Sequence, residues 1–129
     1  MSPTEGEGMK LNNVMIGSED PERLTAYYTK LFGEPGWSEG GYVGWQLGDA
    51  GITVFPHSEV KGQNEQPGRL MWNLETPDVR GEFEKLRGAG ATVVREPYDP
   101  SDGEGGDQEM LVCTFSDPDG NYFQLASPM

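Results

Sequence analysis

The sequence predicts an α+β protein of two βαβββ modules, with one main helix in each module and mixed sheets curled around a central cavity. Three observations support this fold. The chain contains an internal repeat, and each copy orders its elements as strand, helix and further strands. A load of 19 Gly and 10 Pro favours short elements joined by tight turns. At 129 residues, the chain is long enough to bury the core of one domain.

The repeat becomes visible when residues 14–22 are compared with residues 70–78, at an offset of 56. Met, Glu and Pro coincide in the two segments, and apolar and acidic positions match around them. Each copy reads as an apolar strand, an acidic turn with proline, and a helix. Proline fits the first helical turn because its missing N–H has no partner to lose there. Asp20 and Thr76 are the predicted N-caps.

Apolar spacing predicts one helix from Pro21 to Leu31, ended by Gly33, and a second helix from Pro77 to Leu86. Each module begins with the apolar strand of the repeat. The further strands are predicted at Tyr42–Leu47, Ile52–Phe55, Thr92–Arg95, Met110–Phe115 and Tyr122–Ala126, with a turn at residues 117–121.

The predicted organisation has four parts. A flexible tail covers residues 1–8, a first module residues 9–56, a connector rich in Gly, Gln and Pro residues 57–68, and a second module residues 69–129. Six carboxylates and no basic side chain lie between Glu96 and Glu109. Gly and Pro make this stretch an irregular loop, which is either disordered or a lid.

The composition excludes several classes of protein. A net charge of −13 repels phosphate backbones, so nucleic acid is not an expected partner. The same acidity favours capture of a cationic ligand, or it only maintains solubility. Apolar runs are too short to span a membrane, and the first residues lack the features of a signal peptide. The single cysteine, Cys113, excludes an internal disulfide and reads as a buried thiol, so a cytoplasmic protein is expected.

The strand and helix of residues 14–33 and the turn Asp-Pro-Asp-Gly-Asn at residues 117–121 resemble segments of the vicinal oxygen chelate superfamily. This superfamily includes glyoxalase I, extradiol dioxygenases and bleomycin-resistance proteins. The resemblance covers residues 9–129. It implies paired βαβββ modules around a central site and a homodimer. In metal-dependent members it implies one divalent ion held by four side chains, usually His and Glu.

Transferred to this sequence, the four metal positions of the superfamily are Asn13, Thr53, Arg69 and Gln124. None is His, Asp, Glu or Cys, the donors that Zn, Fe, Ni and Mn sites need. Arg is a permanent cation with no lone pair to offer. The resemblance therefore implies a member with neither a metal nor another cofactor. The lone histidine, His57, reads as an exposed loop residue or as a general base.

Strand alternation independently predicts a ligand pocket. One face of each strand is apolar throughout and should pack under the helices, whereas the other face mixes polar and large apolar groups, as a ligand cavity does. The alternative is that dimerisation or side-chain packing closes this second face. Trp45 is predicted either to offer a stacking surface or, equally, to belong to the core or an interface. Arg69 is predicted to clamp an anionic group or, equally, to pair with an acid such as Glu109. The predicted ligand-binding residues are Asn13, Met15, Trp45, Thr53, Phe55, Arg69, Met71, Asn73, Tyr122 and Gln124.

Three functions are compatible with the sequence. The first, which we expect, is a metal-independent small-molecule-binding protein, similar to the bleomycin-resistance members, that sequesters a drug or metabolite. The second is an enzyme of the lyase, isomerase or dioxygenase type with a non-standard site, for which His57, Glu59 and Glu109 are the available donors. The third is an interaction protein whose sheet faces only form a dimer. No catalytic residue is predicted.

Overall fold

The computed structural model describes residues 8–100 and 110–128, so nearly all of the expected tail and most of the expected acidic loop lie outside the described residues. Within the described ranges no helix has the length and apolar character needed to cross a membrane. The elements, in chain order, are β1 (Asn13–Ser18), α1 (Pro21–Phe32), β2 (Trp37–Glu39), β3 (Tyr42–Leu47), β4 (Ala50–Pro56), a single 3-10 turn (Pro67–Arg69), β5 (Trp72–Glu75), α2 (Val79–Gly88), β6 (Thr92–Tyr98), β7 (Val112–Ser116) and β8 (Tyr122–Ala126).

The strands form two four-stranded sheets, with the orders β1-β4-β3-β2 and β5-β8-β7-β6. In each sheet the first strand of the module pairs in parallel with the last, and the other neighbours are antiparallel. The predicted α+β fold of two βαβββ modules is therefore confirmed. β1 and β5 are edge strands, since each has a partner on one side only within its sheet.

The structural repeat has an offset of 58, so the predicted offset of 56 is wrong. Asp20 and Asp78 are the N-caps of the two helices, and each accepts a hydrogen bond from the backbone N–H three residues further on. Thr76, the predicted second cap, instead accepts a hydrogen bond from the N–H of Asp78. The offset of 56 was chosen because residue identities coincide at that spacing. The start of a helix is set instead by the residue whose side-chain oxygen accepts a hydrogen bond from the backbone N–H groups of the first turn.

Two further elements differ from the sequence prediction. Trp37–Glu39 forms β2, a strand of three residues that is too short to show alternation. β6 continues to Tyr98, past Glu96 and Pro97, where the irregular loop was expected to begin. Proline is tolerated there because β6 is an edge strand, and its pairing with β7 shifts register between Arg95 and Tyr98.

The two modules share one core, which lies between the helices and the apolar faces of both sheets. Tyr28 of α1 packs against Trp45 of the first sheet and Phe123 of the second, with ring centroids 6.0 Å and 6.1 Å away. Trp72 stacks on Phe123 at 4.6 Å. Cys113 is fully buried in this core, as expected, and burial raises the pKa of its thiol. Helix α1 therefore belongs to the packing of both modules.

The turn of residues 117–121 joins the second module to the first. The hydroxyl of Ser18 donates a hydrogen bond of 2.6 Å to Asp119, and the phenol of Tyr28 donates one of 2.7 Å to Asp117. The carboxylate of Asp117 also accepts hydrogen bonds from two backbone N–H groups of its own turn. This segment is thus more than a hairpin turn, because its acidic side chains bind the first strand and first helix of the chain.

Candidate functional site

A cleft of about 700 Å³ lies between the edge strands β1 and β5. Residues 13–17 form one wall, and residues 70–74 form the wall opposite. Residues from the β3–β4 hairpin, the connector and the start of β8 complete the lining. The sheets remain open along this seam, and a volume of this size is typical of small-molecule sites.

Five of the predicted ligand-binding residues line this cleft: Asn13, Met15, Met71, Asn73 and Tyr122. Met15 and Met71 stand on opposite walls and are 52% and 39% exposed. Successive residues of a strand point to opposite faces of its sheet, so the faces of β1 and β5 turned away from the helices carry these side chains. The alternation of side chains along each strand, which predicted these residues, follows directly from this property of strands.

Trp45 and Phe55 lie elsewhere. Trp45 is only 3% exposed, and its indole N–H donates a hydrogen bond of 2.9 Å to the carbonyl of Gly33, which places it on the helix side of β3. Its assignment to the ligand site is therefore corrected, because strand alternation directs it into the core. Phe55 stacks on Tyr42 with ring centroids 5.2 Å apart and does not line the cleft.

Arg69 also lies outside this cleft. It ends the 3-10 turn, is exposed, and its guanidinium donates a hydrogen bond of 3.0 Å from Nε to the side-chain carbonyl of Gln66. Its neighbour Leu70 lines the cleft instead. At the offset of 56 Arg69 is the repeat counterpart of Asn13, and the helix caps correct that offset to 58.

Thr53 and Gln124 occupy the strands next to the edges, β4 and β8. The hydroxyl of Thr53 donates a hydrogen bond of 2.9 Å to Oδ1 of Asn13, and Thr53 is only 1% exposed. The side-chain amide of Gln124 donates a hydrogen bond of 3.1 Å to the hydroxyl of Thr114. Neither residue lines the cleft, but Thr53 orients one that does.

With the corrected offset, the second-module counterpart of Asn13 is Met71 and not Arg69. The strand registers agree with this offset. Met15, two residues after Asn13, pairs with Thr53 on β4, and Asn73, two residues after Met71, pairs with Gln124 on β8. By the resemblance to the vicinal oxygen chelate superfamily, the four positions that would carry its metal ligands become Asn13, Thr53, Met71 and Gln124.

This set of side chains does not fit a divalent transition metal. It offers amide, hydroxyl and thioether groups, with no imidazole, carboxylate or thiolate. Asn13 and Thr53 bond each other, and Gln124 bonds Thr114. In residues 8–100 and 110–128, no three His, Cys, Asp or Glu side chains are grouped to hold a metal ion. His57 is exposed, and its Nδ1 accepts a hydrogen bond within its own loop.

Three titratable groups with raised pKa values, Tyr27, Tyr28 and Asp117, lie at the joint between the modules and not in the cleft. Burial raises the pKa of Tyr27 to about 12, against the effect of a hydrogen bond from the N–H of Thr92. Burial and the nearby carboxylate of Asp117 raise the pKa of Tyr28 well above its usual range. Burial also raises the pKa of Asp117, although its hydrogen bonds oppose the shift. None of these groups lines the cleft.

Two polar residues of the cleft were missed by the sequence analysis. Asn64 lies in the connector and Asn121 in the last turn. The amide of Asn64 donates a hydrogen bond of 2.9 Å to the side-chain carbonyl of Asn121. Loop residues carry no alternation, so no sequence pattern places them beside β1 and β5.

Three solved structures from different bacteria share this fold. A glyoxalase-related enzyme from Fulvimarina pelagi is 19% identical, with a TM-score of 0.69, over 92% of this chain and 88% of the other. A glyoxalase/bleomycin resistance protein from Catenulispora acidiphila DSM 44928 is 19% identical, with a TM-score of 0.69, over 93% and 100%. A glyoxalase/bleomycin resistance protein/dioxygenase family enzyme from Burkholderia phytofirmans PsJN is 20% identical, with a TM-score of 0.68, over 93% and 99%.

These identities establish a common fold and leave the activity open. No curated protein matches the chain significantly. The family model described as "Glyoxalase-like domain" matches residues 13–126, from the first residue of β1 to the last residue of β8. By this match and the two-module fold, the chain belongs to the glyoxalase-like domain family, within the vicinal oxygen chelate superfamily.

Proposed function

We propose that the chain is a metal-independent protein that binds a small molecule, a drug or a metabolite, in the cleft between β1 and β5. The observation that carries this proposal is the meeting of residues from both modules around one cleft of ligand size. The lining is mostly apolar with a few polar groups, which is the usual composition of a ligand site. The side chains at the superfamily's metal positions support binding without a metal.

A steric block of the cleft tests this function. We would titrate the protein with three fluorescent probes that share the dansyl group, namely dansylamide, dansylglycine and dansylcadaverine. Met71→Trp fills the cleft and should weaken the tightest probe at least ten-fold. Met9→Trp is the matched control, because Met9 is 80% exposed and does not line the cleft. Equal affinity in the two variants would contradict a site between β1 and β5.

A homodimer is part of the proposal. The sheet faces turned away from the helices carry exposed apolar side chains on both modules: Met15, Trp37, Tyr42 and Met71. Apolar patches of this kind mark interaction surfaces, and a second copy of the chain offers complementary patches. Sedimentation equilibrium should give twice the chain mass. Trp37→Lys should shift the equilibrium to monomer, and a wild-type chain that sediments as a monomer at all concentrations would contradict the dimer.

A cytoplasmic location completes the proposal, since Cys113 is buried and has no second cysteine to bond with. No observation favours the enzyme alternative, because none of the described residues that line the cleft is His, Cys, Asp, Glu or Lys. The general base suggested for His57 has no support either, since His57 lies outside the lining.

A further inference from the structure

We infer that the ligand of this cleft carries no net charge and is a mostly apolar molecule with a few neutral hydrogen-bonding groups. The inference rests on the proposed binding function and adds the charge class of the ligand. It departs from both ligands that the sequence suggests, the anion held by Arg69 and the cation drawn by an acidic surface.

The first support is the absence of charge from the walls. Charged residues make up 24% of the chain, yet none of the described residues that line the cleft has a charged side chain. The polar members of the lining are Asn13, Asn64, Asn73, Asn121 and Tyr122. The remaining side chains are aliphatic, thioether or indole groups, apart from two glycines. An uncharged wall cannot compensate an ion for the water it loses on entering, so a charged ligand is disfavoured there.

The second support is the position of the nearest charges along the chain. The charged residues that adjoin a lining residue in the sequence are Lys10, Asp49, Glu65, Arg69 and Glu75, and none of them lines the cleft. The guanidinium of Arg69 is held by the side chain of Gln66. The guanidinium that was expected to clamp an anion is therefore bonded to a side chain that also lies outside the lining.

The third support is the set of hydrogen-bonding groups left free. Oδ1 of Asn13 accepts a hydrogen bond from the hydroxyl of Thr53 on β4, so Nδ2 of Asn13 remains available as a donor to a ligand. Asn64 and Asn121 bond each other. Within the part of the chain that the structure describes, the side chains of Asn73 and Tyr122 have no hydrogen-bond partner. Neutral donors and acceptors thus face the cleft from both walls, which suits amide, carbonyl or hydroxyl groups on an uncharged ligand.

The three dansyl probes test the inference, because they share a fluorophore and differ in charge. Dansylamide is neutral, dansylglycine is an anion and dansylcadaverine is a cation at pH 7. The net charge of −13 attracts cations at long range, so the titrations use the full chain in about 0.5 M salt, where only charges a few ångströms apart interact appreciably. Dansylamide should bind at least ten-fold more tightly than dansylglycine and no more weakly than dansylcadaverine.

Variants with a new charge in the wall sharpen the test. Met71→Lys should improve dansylglycine relative to dansylamide at least ten-fold, whereas Met9→Lys, outside the cleft, should leave the ratio unchanged. Met15→Lys places the same charge on the opposite wall and replaces Met71→Lys if circular dichroism shows that the first variant does not fold.

The outcomes separate the inference from the function on which it rests. If dansylglycine binds within ten-fold of dansylamide, or dansylcadaverine binds more tightly than dansylamide, and the probes respond to the cleft variants, the cleft binds ligands but the inference of a neutral ligand is overturned. If no probe responds to the cleft variants, the proposed binding function itself is overturned, and the inference falls with it.

Discussion

The hydroxyl of Ser18 lies 2.6 Å from a carboxylate oxygen of Asp119, although 101 residues separate the two in the sequence. Both residues are buried, with 1% and 4% of their surface exposed. The other carboxylate oxygen pairs with the guanidinium of Arg23 at 2.9 Å. The end of β1 and the start of α1 are thereby fixed to the turn before β8.

Replacing Ser18 by alanine should lower the free energy of unfolding by about 1–3 kcal/mol, because a buried carboxylate oxygen loses its donor and the N–H of Asp20 loses its acceptor. Urea denaturation measures the change. Ser38→Ala, on the exposed strand β2, serves as the control and should stay within about 0.5 kcal/mol of the wild type. Equal losses in the two variants would show that the bond to Asp119 does not stabilise the joint.

Tyr28→Phe should also cost about 1–3 kcal/mol of unfolding free energy, since its phenol donates to the buried carboxylate of Asp117. The ring contacts with the core remain in this variant, so the loss reports on the hydroxyl. Urea denaturation measures the loss. Tyr42→Phe is the control, because Tyr42 is 41% exposed, and it should leave the unfolding free energy unchanged. A Tyr28→Phe protein as stable as the wild type would contradict this role.

Asp117 should make stability depend on pH in a defined direction. Burial raises its pKa from the ordinary value of 3.8, so the folded chain binds the proton more tightly than the unfolded chain. Its stabilising contribution is then complete below pH 3.8 and is lost as the pH rises through the raised pKa. Asp117→Asn cannot titrate. The unfolding free energy of the wild type relative to this variant should grow as the pH falls from 7 towards 4, and a constant difference would refute the raised pKa.

Two glycines should respond to alanine with opposite signs. A Cβ at Gly51 would overlap the backbone carbonyl oxygen of Trp45, so Gly51→Ala should lower the unfolding free energy by about 2 kcal/mol or more. Gly88 ends α2 with no atom within 4 Å of its Cβ position. Gly88→Ala should raise the unfolding free energy by about 0.5–1 kcal/mol. Urea denaturation measures both changes. If the unfolding free energy changes in the same direction in the two variants, the packing described around one of the two glycines is contradicted.

The purified protein should contain no stoichiometric divalent metal. Asn13, Thr53, Met71 and Gln124 provide neutral groups that bind transition metals weakly. Elemental analysis after dialysis checks this expectation, with the melting temperature before and after a chelator as a second reading. About one Zn, Ni, Fe or Mn ion per chain would overturn metal independence.

Local patterns were enough to predict most of the fold. Helix α1 is marked by Pro21 at its start and Gly33 at its end, and the hairpin of β7 and β8 by the turn at residues 117–121. These signals act over a few residues, so they survive without knowledge of the tertiary structure. The hydrogen bond between Ser18 and Asp119 could not be predicted in this way, because no local pattern around either residue indicates that the two side chains meet.

The cleft could be predicted only in part. Alternation correctly placed Met15, Met71 and Asn73 on the faces away from the helices, because the period of a strand is fixed. It does not apply to Asn64, which lies outside the strands, and it was not applied to Trp45, which was chosen for its chemistry. Arg69 was assigned to the ligand site as the repeat counterpart of Asn13. The offset was wrong by two residues, so the assignment fell on Arg69, which lies outside the cleft, and not on Met71.

The sharing of α1 between the modules also orders events during biosynthesis. A ribosome releases α1 long before it has made β8, so the rings of Tyr28 and Phe32 emerge while their partner Phe123 does not yet exist. Strands of the first module cover one part of the apolar side of α1, but the part that packs on Phe123 stays uncovered until the last hairpin is made, and contacts this distant in sequence slow folding. A nonsense codon that removes residues 117–129 would therefore expose part of the core at the beginning of the protein as well as at its end.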